Sequence, residues 1–362
     1  MNKVPALAGG LFAGLLTLAW PGIAAQPGVA SCPPSGNLKF LCGIQAPEDL
    51  AALPGGRWII ASGMHLGSGL HLIDGTTKRW ERWIAPAGAK ARAPFDQCKV
   101  QPAPDDLAIH GIALHQRGRG RATLYAVNHG GTDPGVGERI EVFDIGTTHG
   151  KPVLAWAGCL PWSGKLEANA VVAASDGTVY ATVMNHPGTT IKDWWTGVPK
   201  LTGAVYKWTP GAPAFERMAG TELVGNNGIE VSADGKTLYV NSKSATTIGD
   251  GAITSFTTTN PARKLKSVEI KGGLPDNIHW VNGRLIAAGA RTDTCPAKAN
   301  GFPCTNGYHV ETVNPDTLAV TFLDKAPADP QFSGVSVALP IGKTLWAGSF
   351  SANKLGYRPM PR

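Results

Sequence analysis

Six recurrences of one hairpin plan, a composition rich in Gly and Pro, and the lack of any amphipathic helical stretch predict an all-β fold, a six-bladed β-propeller closed by an N-terminal strand. In the plan a polar residue opens a short apolar strand, a Gly-containing turn follows, and a second strand rich in Val, Leu and Tyr completes the hairpin. It is clearest from Val224 to Ser242 and recurs from Glu48, His110, Asn169, Asp276 and Ser333. Units of roughly fifty to sixty residues match the period of radial β repeats. The 362 residues include 46 Gly and 28 Pro and are 16% charged, which suits turns and short strands better than helices. A seven-bladed ring is the alternative architecture, should the long second unit hide a further blade.

The amino terminus has a single Lys3, an apolar run from Val4 to Trp20, and small residues from Pro21 to Gln26. This is the layout of a secretory signal peptide, so residues 1–25 are expected to be removed and 26–362 to form one propeller domain that is secreted or periplasmic. Gly9, Gly10, Gly14 and Pro21 argue against an uncleaved anchor, and no later segment is apolar enough to span a bilayer. A lipoprotein anchored at Cys32 is a minor alternative, because Val29-Ala30-Ser31-Cys32 lies too far beyond the apolar core. Six cysteines in an exported chain point to disulfides. Cys295 and Cys304 flank a short loop. Cys98 and Cys159 precede the openings of consecutive units and suggest a bridge between neighbouring blades, which leaves Cys32 with Cys42. The absence of any C-x-x-C pair speaks against zinc. The last unit ends without a fourth strand, and Gly36 to Gly43 is positioned to supply it and so avoid an open edge.

The net charge of +7 is thinly spread. Its one local cluster, Arg117, Arg119 and Arg121, lies in a Gly-punctuated turn and reads as a solvated loop, so no nucleic-acid partner is expected. The opening residues of the units carry the chemistry. On innermost strands Glu48, His110, Asn169, Asn227 and Asn277 share one phase at one mouth of the channel, with Asp49 and Asp276 beside them. Carboxylate and amide oxygens are the ligands of a hard cation, and this pattern places a calcium ion on the channel axis. Asn and Asp also start strands merely by capping turns, a bland reading that coincidence in phase weakens. No P-loop, H-E-x-x-H or βαβ G-x-G-x-x-G motif is present. Gly334-Val335-Ser336 lacks the final Gly of a nucleophile elbow, so Ser336 reads as an inward strand serine. His110 and His129 belong to one unit, and an imidazole beside a Lewis-acidic metal suffices to hydrolyse an activated ester or a lactone.

These segments resemble the serum paraoxonase/arylesterase family. The likeness rests on Ala46-Pro47-Glu48-Asp49, Ile109-His110-Gly111-Ile112, Val127-Asn128-His129, Asn227-Gly228-Ile229-Glu230 and Asp276-Asn277-Ile278, in order from about Cys42 to Gly356. The resemblance implies a calcium-dependent hydrolase of lactones, aryl esters and sometimes phosphotriesters. It assigns the catalytic calcium to Glu48, Asn169, Asn227, Asp276 and Asn277, and a histidine pair to His110 and His129. It also implies a second, structural calcium with Asp49 as one ligand, although Ala170 replaces the acidic residue expected there. No cysteine follows Cys304 to join the chain ends, and Ala290 and Arg291 lie near where a further histidine is expected. Trp194, Trp195 and the loop from Thr292 to Asn306 are expected to wall the pocket. Two other classes stay open: a gluconolactonase-like sugar lactonase or strictosidine-synthase-like enzyme, and a non-catalytic periplasmic binding propeller with structural calcium.

Overall fold

The computed structural model describes residues 32–118, 120–130, 138–162, 166–194, 200–294 and 306–361. Its strands form six sheets of four strands each, every strand antiparallel to its neighbour. Helix among the described residues is confined to two short 3-10 turns, Pro104–Asp106 and Ile191–Trp194. The six innermost strands are Leu50–Ala52, Ile109–Gln116, Ala168–Ala173, Ile229–Val231, Gly273–Val281 and Val335–Ile341. They number blades 1 to 6 below. The long second unit is one blade whose outer strands, Arg139–Thr148 and Lys151–Pro161, are extended; it hides no seventh.

Blade 6 takes its outermost strand from the other end of the chain. Lys39–Cys42 pairs with Lys354–Pro359 in the register Lys39 to Tyr357 and Cys42 to Lys354. This satisfies an edge that the C-terminal hairpin alone leaves open. The adjoining segment is tied down as well, since Gly43 N donates to Asn353 O and Ala46 N to Ala352 O. A Cys32–Cys42 disulfide fixes the entry of the closing strand, so the sulfur of Cys32 is engaged in that bond.

Each pair of neighbouring blades encloses its own apolar cluster. Ile60, Leu70 and Leu72 of blade 1 meet Ile112, Leu124 and Phe143 of blade 2. At the closing interface Ile59 and Ile73 of blade 1 meet Leu339, Trp346 and Leu355 of blade 6. Burial of each such side chain contributes about 1.5–3 kcal/mol, so the ring is held mainly by flat faces pressed together. Cys98 and Cys159 are joined, but not across two blades as the spacing suggested. Cys159 lies on the outer strand of blade 2, and Cys98 on the segment entering that same blade, which runs alongside through Asp96 and Phe95. Cys295, Cys304 and the segment 1–25 lie outside the described residues.

Candidate active site

The innermost strands do not enter the channel smoothly. Four of them shift register within their first few residues, at Ile109/Ile112, Ala168/Val171, Pro275/Asn277 and Val335/Val337. A bulge re-aims the residues it contains, and these four contain His110, Asn169, Asp276 and Ser336. In blades 2, 3 and 5 the residue so re-aimed lines one cavity, while Glu48 of blade 1 and Asn227 of blade 4 reach it from just before their strands. The strands also crowd together. Gly228 N donates to Asp276 O at 2.8 Å, and a Cβ on Gly228 would lie 2.3 Å from that oxygen.

Glu48, His110, Asn169, Asn227 and Asp276 line one cavity of about 440 Å³. Asn277 stands behind them and donates from Nδ2 to Glu48 Oε1 at 2.6 Å. Ser336 fills the sixth phase as a support, its hydroxyl donating to Glu48 O at 2.6 Å. The cavity walls are largely apolar, with Met64, Met184, Ile191, Trp194, Leu274 and Phe350. Trp194 is thus a wall residue as expected, while Trp195 and residues 295–305 of the expected loop lie outside the described residues. Ala290 faces the cavity. Arg291 is held by Asp293 and Ala326 O.

Burial dominates the electrostatics at the centre. It pushes the Glu48 carboxyl well above its usual range, and the charges of Asp276 and Asp49 push the same way. Asp276 is raised to about 7, chiefly by burial, against a hydrogen bond from Asn227 that favours its ionised form. Glu48 Oε2 and Asn227 Oδ1 are buried with no hydrogen-bond partner among the described residues. Such atoms are costly unless a cation meets them. Two carboxylates and three amides form an oxygen-only donor set, which fits a calcium-like ion. Among the described residues no three His, Cys, Asp or Glu side chains are grouped to hold a metal.

The histidine pair belongs to a longer chain of contacts. His110 Nδ1 is 2.8 Å from His129 Nε2, and His129 Nδ1 is 2.8 Å from Glu138 Oε2. Glu138 Oε1 also accepts from Ala168 N, linking the relay to blade 3. The contact with Glu138 selects the tautomers: with its proton on Nδ1 toward that carboxyl oxygen, His129 accepts at Nε2 from His110 Nδ1–H. His110 Nε2 is left as a lone pair at the cavity, 3.3 Å from the Asn169 amide nitrogen and 3.8 Å from Glu48 Oε1. Burial, and then the neighbouring His129 charge, press His110 down to about 3. Burial alone would lower His129 too, but the bond and charge of Glu138 outweigh it and raise it.

Asp49 turns to the other side of Glu48. Its Oδ1 is 2.6 Å from His279 Nε2, and Oδ2 accepts from Ile112 N at 2.8 Å. Burial disfavours a charged His279, yet the charge and bond of Asp49 and the contact with Glu230 raise it to about 10. Asp49, the residue that the resemblance gives to a second calcium, is thus in contact with the His279 ring, and Ala170 supplies no acidic group beside it. Sequence reasoning missed Glu138 and His279. Glu138 follows a Gly-rich stretch with no strand phase, and His279 is a single residue within a strand.

A six-bladed propeller with an oxygen-donor cluster and a histidine relay at one channel mouth is the class this architecture defines. More particularly, the family model for the SMP-30/Gluconolactonase/LRE-like region matches residues 136–294, a little under half of the chain. That span includes Asn169, Asn227, Asp276 and Asn277 and leaves out Glu48, His110 and His129. Among solved structures, a gluconolactonase from Xanthomonas campestris aligns at 18% identity with a TM-score of 0.51, over 90% of this chain and 89% of its own. A Thermus thermophilus protein, provisionally described as an oxidoreductase (glucose dehydrogenase), aligns at 13% identity with a TM-score of 0.49, over 89% and 98%. At these identities the likeness is one of fold. No curated protein matches the chain.

Proposed function

We propose that the chain is a calcium-dependent hydrolase of lactones and aryl esters. The observation that carries this reading is the junction of the Glu138–His129–His110 relay with the five-residue oxygen cluster in one cavity. Glu48, Asn169, Asn227, Asp276 and Asn277 would hold the ion, Asn277 after turning its amide oxygen inward. Bound there, calcium supplies Lewis-acid polarisation of an ester carbonyl.

The protein's own residues supply the proton chemistry. His110 Nε2 is the basic atom at the cavity and takes a proton from the attacking water. His110 alone is too weak a base for neutral pH. As it accepts at Nε2, however, its Nδ1 proton passes to His129 Nε2, and the imidazolium then rests on the residue paired with Glu138. The pair titrates as a unit whose basicity is set by His129 and Glu138. Met184, Trp194 and Phe350 exclude bulk water and favour an apolar substrate body.

A sugar lactonase is the second reading, favoured by the family-model match over residues 136–294. Turnover of phenyl acetate and alkyl γ-lactones should be compared with that of gluconolactone, each with calcium and with chelator. The proposal expects calcium-dependent hydrolysis with higher kcat/KM on the apolar substrates. Preference for gluconolactone supports the second reading, and inactivity on all three with calcium bound supports a binding propeller.

A further inference from the structure

The histidine relay is backed by a buried polar net that the hydrolytic scheme does not use. Asn128 and Arg139 are the last paired residues where the second and third strands of blade 2, Ala122–Asn128 and Arg139–Thr148, part. His129 and Glu138 are the next residues on either side, so that pair sets how far apart they stand. Asn128 also grips the strand that carries His110. Its Oδ1 accepts from Ala108 N at 2.9 Å and from Gly130 N at 3.1 Å, while His129 N donates to Ala108 O at 3.0 Å. One amide side chain thus ties together the segments that bear His110, His129 and, across the strand pair, Glu138. With Oδ1 so engaged, Asn128 Nδ2 faces Glu141 Oε1, 3.4 Å away. Glu141 is fully buried; Arg139 Nε donates to its Oε1, and Trp156 Nε1 to its Oε2 at 2.8 Å. Arg139 in turn donates from Nη2 to Val100 O at 3.1 Å. A buried carboxylate–guanidinium pair is seldom more stabilising than packed apolar residues of the same volume, so stability is a poor account of this one. What apolar residues could not do is fix the amide of Asn128.

We propose that Asn128 and Glu141 are positioning residues for the histidine relay: Glu141, anchored by Arg139 and Trp156, orients the Asn128 amide, and Asn128 holds His110, His129 and Glu138 at hydrogen-bonding distance. The inference rests on the relay of the hydrolase reading above and adds what keeps it aligned. Neither residue lines the cavity, so each acts through the imidazoles alone. A proton passed along two rings needs both contacts in line, and a displacement of about 1 Å from a remote change can cost about a hundredfold in rate.

The test measures kcat and KM on phenyl acetate, with calcium, for the wild type, Asn128→Ala, Glu141→Gln and the double variant, together with the ring-nitrogen and Nδ1–H magnetic resonances of His110 and His129. Asn128→Ala should lower kcat about tenfold to a hundredfold with KM unchanged, and should displace the His129 Nδ1–H resonance. Glu141→Gln keeps the side-chain shape but turns an N–H against its donors, and should act in the same direction by a smaller factor. Because one residue acts through the other, the double variant should be no slower than Asn128→Ala. Losses that multiply in the double variant overturn the inference. So does an unchanged kcat per folded molecule with a lowered melting temperature, the mark of a merely structural net. Should either single variant not fold, Trp156→Phe removes one donor from Glu141 and leaves an aromatic ring in place; an unmoved His129 resonance there overturns the inference, and a displaced one upholds it. Should the wild type hydrolyse no substrate, the hydrolase reading fails separately and the resonances decide: displacement in Asn128→Ala and Glu141→Gln upholds the positioning role, and wild-type resonances in both overturn it.

Discussion

Calcium binding should be coupled to proton release at Asp276, and the coupling has a calculable size. Without the ion the buried Asp276 titrates at about 7. At pH 8 it is already ionised, whereas at pH 5 calcium must displace a proton across two pH units. At about 1.4 kcal/mol per unit this costs about 3 kcal/mol, or about a hundredfold in affinity. Glu48, raised in the same direction, adds to the effect. The stability of the metal-free protein has a definite sign. Between the unfolded value near 3.8 and the folded value near 7, the folded state binds more protons than the unfolded state. Its stability therefore falls as pH rises through that window. His279 works in parallel: its contribution is full below about 6.5 and is lost as pH rises toward 10. Because His279 acts in the presence and absence of calcium alike, the difference between the two curves isolates the cluster. Melting temperatures measured with calcium and with chelator from pH 5 to 8 should diverge as pH rises, by roughly 5 °C or more across the range. Asp276→Asn should flatten that divergence. A gap that stays constant with pH, or one that survives in Asp276→Asn, refutes the assignment of Asp276 to a cation site.

Three further outcomes are expected. His110→Gln should lower kcat about a hundredfold to ten-thousandfold, with calcium affinity unchanged by calorimetry, because the proton acceptor is lost while the five oxygen donors remain. Near wild-type turnover would remove the imidazole from the chemistry. Glu138→Gln takes away the charge that raises His129, so the acid limb of the pH–rate profile should move to lower pH and the plateau should fall; an unshifted limb would separate Glu138 from the relay. Trp346→Ala, at the closing interface of the ring, should cost about 3–5 kcal/mol in denaturant unfolding. A cost under about 1 kcal/mol would show that the N-terminal strand, not face packing, holds the ring shut.

The blade count and ring closure were legible because each rests on short-range patterning. Hairpins announce themselves through turn residues and alternation, and the missing fourth strand after Tyr357 left Gly36 to Gly43 as its supplier. The direction of the second disulfide was not legible. Spacing placed Cys98 and Cys159 before successive blade openings, but the segment carrying Cys98 lies along the outer edge of the blade it enters, a tertiary choice made by Phe95 and the neighbouring apolar cluster.

The site was legible in part for a related reason. Equal phase in a repeat predicts equal position around the axis; Glu48, His110, Asn169 and Asn227 of the residues placed in one phase do share a cavity, whereas in blade 5 it is Asp276 and not Asn277 that lines it. Strict alternation, however, sends adjacent residues to opposite faces of a strand, so it cannot explain why Asp276 and Asn277 both serve the same cluster. The bulge between Pro275 and Asn277 resolves this by giving two successive residues access to the axis. Glu48 and Asp49 precede their strand and part ways instead, one into the cluster and one onto His279. A cationic side chain at His279 thereby neutralises Asp49 internally, which leaves Glu48 and Asp276 as the two buried carboxylates that a bound cation would meet. On the proposed reading the cation would sit at one mouth of the channel, beside His110 Nε2.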